Sequence, residues 1–576
     1  MAKPKMQTLT FRLLRKGRAP VKAISPTFAE DGEKPLTSAP WAPIDGAEVF
    51  YGQIYSKPPV WSEFISSGLE GDLEGMLTGG AGAIIFVPVQ GRHVAVCFGQ
   101  VHMALNDDAF ERQFGLKVTL NSVPGSSIRS LDLATPDAVT FQKRVQASRD
   151  SNVSAFGVDQ LRDIARVAGG TPKDPKFAKF VAGKDSLSIT CEIGAGGIHA
   201  KCAEVLQAYA KTDYQTDFQW VDNLKPVVEK DRIKQLDDQL FADLSELRKG
   251  NHADLHMSPP EVVNYIEGSE LHYNGFGSRG ETFHSLSIAD YVDELQRCKF
   301  AGTIEEIKEK HRIAAKPSDG DKFTEKWKVY DCFVHEAQLG IGADTQHFVL
   351  FAGSWFEVEA SFKDSVETFF NGIDKVTIVG STKMNNEQEL IDHLVKTRSA
   401  DLLKLDRKKI NPKGVSNANL EPADFFSDKR HFIHLKDGHS SGPISHLWSQ
   451  GVVSADSFVG DGTFRKKLRS VVKSEKSGFE TLLPKASERV VREDYTIVYG
   501  IMRQPYANGN TGLPFFSKVS LQSAVQRLRV LGFSVAIELI EKPKSSAKKK
   551  KGTAKAKPAD RAEHDDSDVG QVLEDV

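Results

Sequence analysis

At 576 residues, with 40% hydrophobic and 26% charged side chains, the chain has the composition of an ordinary soluble protein and is long enough to bury a large core in about two to four domains. Its net charge of −2 advertises neither a nucleic-acid nor a membrane partner for the molecule as a whole. Five scattered cysteines, with no C-x-x-C pair, argue for reduced thiols and against a zinc ribbon. The start MAKPKMQTLTFRLLRKG has no apolar signal segment, and no run of about 18 apolar residues occurs, so a cytoplasmic protein without a membrane span is expected.

In chain order, residues 8–24 read as an opening strand and extension, with a Pro-rich stretch to Pro43. Strand patterns follow at 48–55, 83–87 and 93–98, the last two forming a hairpin that turns near Gln90 and Gly91. Residues 107–114 read as helix, 116–123 as strand, 156–167 as a helix closed by Gly169 and Gly170, and 186–193 as strand. Helical spacing recurs at 198–214 and 225–248, the second ending in Arg-Lys-Gly, with a domain boundary near Gly250. In NHADLHMSPPEVVNY, His252, Asp254, His256 and Glu261 resemble a metal set, but Pro259 and Pro260 interrupt the spacing. Ser258 reads better as a helix N-cap with Glu261 completing a capping box. A helix at 287–295 and strands at 327–337, 346–351 and 355–358 suggest a β meander with an aromatic core.

Residues 383–396 read as a helix carrying Glu389. In the stretch DFFSDKRHFIHLKDGHSSGPISHL (424–447), alternation over 430–436 puts Phe432, His434 and Lys436 on one strand face. A Gly/Ser turn follows, and then Ile444, Leu447 and Trp448 at helical spacing. Asp424 could hold Mg²⁺ or Mn²⁺, Lys436 could stabilise charge developing on a phosphate, and His434 could serve as general base. The alternative is that His434 and Lys436 form the solvated face of an ordinary strand. Residues 404–476 carry 14 Lys/Arg against 8 Asp/Glu, so Lys429, Arg430, Arg465, Lys466, Lys467 and Arg469 are candidate phosphate contacts. Residue 454 opens a short segment ending at 464, and 465–476 is a basic helix. A strand at 495–502, a helix capped by Ser520 and ended by Gly532, and a strand at 533–540 complete an α/β pattern. The tail from Lys544 holds seven lysines and then seven acids and is expected to be disordered.

The blocks ERQFGLKVTLNSV, RHFIHLKDGHSSGPISHLWSQGVVSAD and LPFFSKVSL resemble a sporadically distributed family of uncharacterised bacterial proteins of similar length. The resemblance covers nearly the whole chain except its tail and implies products of mobile or defence-associated loci. A weaker resemblance is to restriction-endonuclease-like nucleases, in which a helix glutamate, an aspartate and an acid-x-Lys strand motif bind Mg²⁺. Carried over, it implies Glu389 and Asp424 as metal ligands and Lys436 as the lysine, with His434 standing where the acid is expected. A phospholipase-D-like site also has His-x-Lys but needs an aspartate where this chain has Ser441, and a second copy that is absent.

These readings give a multidomain α+β protein: an N-terminal sensing or assembly region (1–250), a middle region with the meander (251–375), a nuclease-like α/β domain with a mixed sheet (376–542) and a charged tail (543–576). The expected function is anti-phage defence on nucleic acid by metal-dependent phosphodiester hydrolysis. The alternative is a non-catalytic subunit that binds nucleic acid or a partner. A homo-oligomer or a neighbouring defence protein is the further partner this reading leaves open.

Overall fold

A computed structural model describes residues 4–542, except 60–61, 67, 70–74, 136–139, 161–162, 252, 264–268, 277–280, 318–322, 341–344, 414–419, 439–440 and 506–511. The tail and His252 therefore lie outside the described residues. The protein is a multidomain α+β fold, with four sheets among the described residues.

The N-terminal unit is a ten-stranded antiparallel sheet with Lys5–Leu13 paired between Arg92–Gly99 and Leu187–Ile193. Leu9, Phe11 and Leu13 drop into a core filled from both neighbours. Helices Phe114–Ser122 and Ile198–Ala210 close that core. Residues 116–122 are therefore helix and Val123 is its extended C-cap, although Val118 and Thr119 favour strand. Phe114, Leu116, Val118 and Leu120 are all buried, and their alternate spacing imitates a strand, while the polar side of the helix is only the half-buried Lys117, Asn121 and Ser122. The expected helix at 156–167 is replaced by a short turn and the strand Ile164–Gly170, whose alternation is obscured by burial at its glycine end. Residues 107–114 hold only the short turn Asp107–Ala109 before the buried helix begins.

The middle unit begins earlier than residue 250. Strand Leu224–Pro226 joins a five-stranded antiparallel sheet with Ser354–Val358, Gln346–Phe351, Phe333–Leu339 and Leu255–Met257. Helix Lys230–Arg248 packs Leu236, Leu240 and Leu244 into the same cluster as Phe333 and Trp355. His256 lies on a strand of that sheet, bonded to Asp254 at 3.0 Å, and Glu261 accepts from Trp327 Nε1 at 2.9 Å, so the two serve separate contacts.

The C-terminal sheet has six strands in the order Asp374–Lys375, Ser534–Glu541, Thr496–Arg503, His431–Asp437, Phe425–Ser427, Leu402–Lys404. The first four run parallel and the last two continue as an antiparallel meander. Helix Glu387–Thr397 packs on one face through Leu390, Ile391 and Leu394. On the other face lie Ser441–Gly460, Gly462–Glu475 and Phe515–Val530. The chain thus runs helix, three antiparallel strands, helices, then a strand parallel to the third. Ser454 sits inside the twenty-residue helix Ser441–Gly460 and donates to Pro422 O at 2.5 Å, so no short segment begins there. Among the described residues, no helix is long and apolar enough to cross a membrane.

Helix Phe515–Val530 starts five residues before Ser520, which is buried mid-helix. Pro514 stands at the N-cap and offers no capping side chain. The cap comes from the meander: Glu336 accepts from Phe515 N at 2.7 Å and Phe516 N at 3.1 Å. Glu336→Ala is expected to destabilise this helix start by about 1 kcal/mol. Hydrogen exchange should then accelerate at residues 515–519 while the N-terminal sheet stays protected, and unchanged exchange there would show that the cap contributes nothing.

Candidate functional site

The carboxyl ends of the parallel strands and the near end of the meander meet along one edge of the C-terminal sheet, the usual place for a ligand crevice in open α/β sheets. Asp424 lies there, just before strand Phe425–Ser427. Its N–H donates to Ile433 O at 2.9 Å, and its carbonyl accepts from Leu405 N at 2.7 Å and Asp406 N at 3.0 Å. Its carboxylate Oδ2 accepts from Leu435 N at 2.6 Å. Main-chain pairing therefore fixes this aspartate, which is half-buried at the sheet edge.

Asp406 and Glu421 join it, each offering a carboxylate oxygen so that the three oxygens lie within 4.8 Å of one another. Burial pushes the Asp424 carboxyl up to about 7; the Leu435 hydrogen bond opposes that, and the charges of Glu387, Asp406 and Glu421 add to it. Burial and the Asp406 charge likewise raise Glu421, against Lys409, Arg407 and Lys436. Asp406 is only 9% exposed, with Oδ2 3.2 Å from Lys404 Nζ. Crowded, partly desolvated carboxylates of this kind are costly unless a cation shares them, and an all-oxygen donor set suits a hard ion such as Mg²⁺ or Mn²⁺.

Beside the three acids, Lys436 Nζ is 3.1 Å from Glu387 Oε2, and the same carboxylate accepts from Asp437 N at 3.3 Å. Lys542 closes the edge, 2.6 Å from Asp437 Oδ1. Five residues of this cluster, Glu387, Asp406, Glu421, Asp437 and Lys542, carry no motif of their own. The spacing Glu421-x-x-Asp424 and the position of Glu387 at a helix start are the signals that point to two of them.

Several expected residues have other tasks. Glu389 is exposed and folds back on its own helix start, accepting from Asn385 N at 3.0 Å and Asn386 Nδ2 at 3.0 Å while Asn386 caps its N–H; Glu387, one half-turn earlier, is the helix acid that reaches Lys436. His434 is 2% exposed, its ring 6.0 Å from that of Tyr499 beneath helix Ser441–Gly460, with Nε2 unbonded. Strand alternation does put it on the face of Phe432, but that face is core, and Lys436 reaches Glu387 only because its long stem extends past the strand end. The imidazole therefore cannot orient water at the acids.

Among the basic candidates, Arg465 is buried and donates to the carbonyls of Phe458 (2.8 Å), Val459 and Ala486. Arg469 donates to the carbonyls of Glu480 and Leu483. Lys467 bonds Asn411 O at 2.9 Å and Arg430 pairs with Asp494. These four knit the fold together. Lys429 and Lys466 remain exposed.

With this geometry in place, comparison of the sequence gives the family: the model of the family of unknown function DUF6119 matches residues 9–541, and the chain belongs to that family. No curated protein and no solved structure matches the chain.

Burial lowers the His434 pKa from 6.5 to about 4. The folded state thus resists a proton that the unfolded state takes up near pH 6.5, so stability is full above that pH and is lost as pH falls towards 4. His311 and His347, lowered to about 4 by burial, act in the same window. His434→Phe should remove one histidine's share, about 2 kcal/mol of the loss between pH 8 and pH 5. Urea denaturation at the two pH values measures it; an unchanged difference would mean that His434 is not held neutral.

Proposed function

We propose that the C-terminal unit is a divalent-metal phosphodiesterase acting on nucleic acid. The observation that carries this reading is the convergence of Asp406, Glu421 and Asp424, with the Lys436–Glu387 pair alongside, on one edge of the mixed sheet. A divalent cation shared by the three acids would relieve their mutual repulsion and polarise a phosphoryl oxygen. Lys436 supplies positive charge where the phosphate oxygens gain negative charge as water attacks, and Glu387 holds its ammonium in place. The order of helix, three-stranded meander, helix and parallel strand supports the nuclease resemblance through different residues: Glu387 takes the place expected for Glu389, and the acids Asp406 and Glu421 make good the absence of one at position 434. Destruction of invading nucleic acid is the defence role that such a centre would serve.

Incubation of the full chain with plasmid, single-stranded DNA and RNA, with Mg²⁺, Mn²⁺ or EDTA, tests the reading. Metal-dependent cleavage is expected, falling about 100-fold or more in Asp424→Asn, Glu421→Gln and Lys436→Ala while salt-sensitive binding survives. Glu389→Gln should cleave normally and lose about 1 kcal/mol of local helix stability. Calorimetry should show Mn²⁺ uptake that Asp424→Asn abolishes. Binding of nucleic acid without cleavage under every metal, and without metal uptake, would replace the enzyme with a non-catalytic binding subunit.

A further inference from the structure

Arg407 follows Asp406 in a turn that the acid pocket itself holds. Leu405 N and Asp406 N both donate to Asp424 O, and Lys408 N closes the turn on Leu405 O at 2.9 Å. At the reversal, Arg407 has φ 60°, in the left-handed region that glycine enters freely and that a side chain with a Cβ resists.

The guanidinium reaches from the turn to the first turn of helix Glu387–Thr397, where Nη2 donates to Gln388 Oε1 at 2.8 Å. Gln388 is in turn fixed, its Nε2 donating to Asp392 Oδ1 at 3.0 Å, which aims the amide oxygen at the arginine. Arg407 therefore spans from the residue after one acid of the pocket, Asp406, to the residue after Glu387. Its side chain is 75% exposed, and its Nε stands 4.0 Å from Asp406 Oδ1, an oxygen of a carboxylate already 3.2 Å from Lys404.

Three other cations of the site are each held closely by a carboxylate: Lys436 by Glu387, Lys542 by Asp437 and Lys404 by Asp406. Arg407 is different, because its one directed hydrogen bond among the described residues goes to a neutral amide. A planar guanidinium held in this way keeps donors and charge for an anion, and its fork matches two oxygens of a phosphate. Exposed Lys409 follows two residues later, and its charge, like that of Arg407, acts on the nearby Glu421 carboxylate. Beyond it, helix Gly462–Glu475 presents exposed Lys466 and Lys473 and is tied to the same segment through Lys467 and Asn411 O.

We propose that Arg407 is the phosphate-binding residue on the open side of the acid pocket and that Gln388 positions it, so that a nucleic-acid strand enters with its backbone against Arg407 and Lys409. This rests on the hydrolytic reading above and adds to it a substrate contact outside the metal ligands. The left-handed backbone supplies a clean test, since Arg407→Gly deletes the side chain while easing the main chain.

Steady-state cleavage of a short fluorescent oligonucleotide should show KM raised about 10- to 100-fold in Arg407→Gly, with kcat changed far less and Tm unchanged or higher. Arg407→Lys should restore part of the loss, because the charge returns without the fork. Gln388→Ala should raise KM by a smaller factor and leave the pH profile of kcat in place, as expected for a positioning residue. The salt dependence of binding should fall by about one phosphate contact in Arg407→Gly. Cleavage by Arg407→Gly within about twofold of the unaltered protein, with the same salt slope, would overturn the inference. Should the unaltered protein not cleave at all, the hydrolytic reading falls separately, and anisotropy with the same oligonucleotide decides this one. A loss of about tenfold or more in affinity in Arg407→Gly sustains the phosphate contact, and equal affinities reject it.

Discussion

Asp424 ties together pieces of chain that have no local reason to meet. Its carbonyl takes the N–H groups of Leu405 and Asp406, its own N–H reaches Ile433, and its carboxylate takes the N–H of Leu435. The meander can close around this residue only if a charged side chain is drawn in from water, and the main-chain donors offset part of that cost. Asp406 and Glu421 are then pressed against it, so the edge of the sheet gathers negative charge that the nearby lysines only partly balance. The same closure that completes the fold raises the cost of the Asp424 charge.

The surrounding architecture braces the sheet behind that edge. Trp448, from helix Ser441–Gly460, donates through Nε1 to Ser517 O at 3.2 Å, and its own carbonyl accepts from Tyr499 Oη at 3.1 Å, locking two helices to a central strand. Gly451 lets this happen, because a Cβ there would stand 2.3 Å from the Tyr499 hydroxyl oxygen. The helix accepts the conformational cost of a mid-helix glycine in return for close approach to the sheet. Lys518, 2.6 Å from Glu367, and Glu336 at the start of helix Phe515–Val530 fasten this unit to the neighbouring α+β unit. Buried His434 and Tyr499 belong to this packing layer and not to the acid cluster in front of it.

Much of the scaffold was legible. Alternation marked His431–Asp437, helical spacing marked Glu387–Thr397 and Gly462–Glu475, and the Leu521, Val525, Leu528 stripe marked the last long helix. Errors gathered where buried residues fall at alternate positions of a helix, as in Phe114–Ser122, or where a cap arrives from a distant residue, as Glu336 does for Phe515. For the site, Asp424 and Lys436 were readable as residue types suited to phosphate chemistry. His434 misled because two-residue spacing gives a shared face but not which face is covered. The arginines of the basic run misled in a similar way: charge count cannot distinguish a solvated cation from one whose guanidinium closes off carbonyl groups, as Arg465 and Arg469 do.

By itself the sequence determined the class of protein, an α+β chain with a mixed C-terminal sheet, and where its strongest strands and amphipathic helices lie, because those follow from local propensity and hydrophobic period. Only the tertiary structure decided which carboxylates meet. Asp406, Glu421 and Asp424 are brought into contact by pairing between separate chain segments, and the raised carboxyl pKa values of Glu421 and Asp424 arise chiefly from burial, a property that neither has in the unfolded chain.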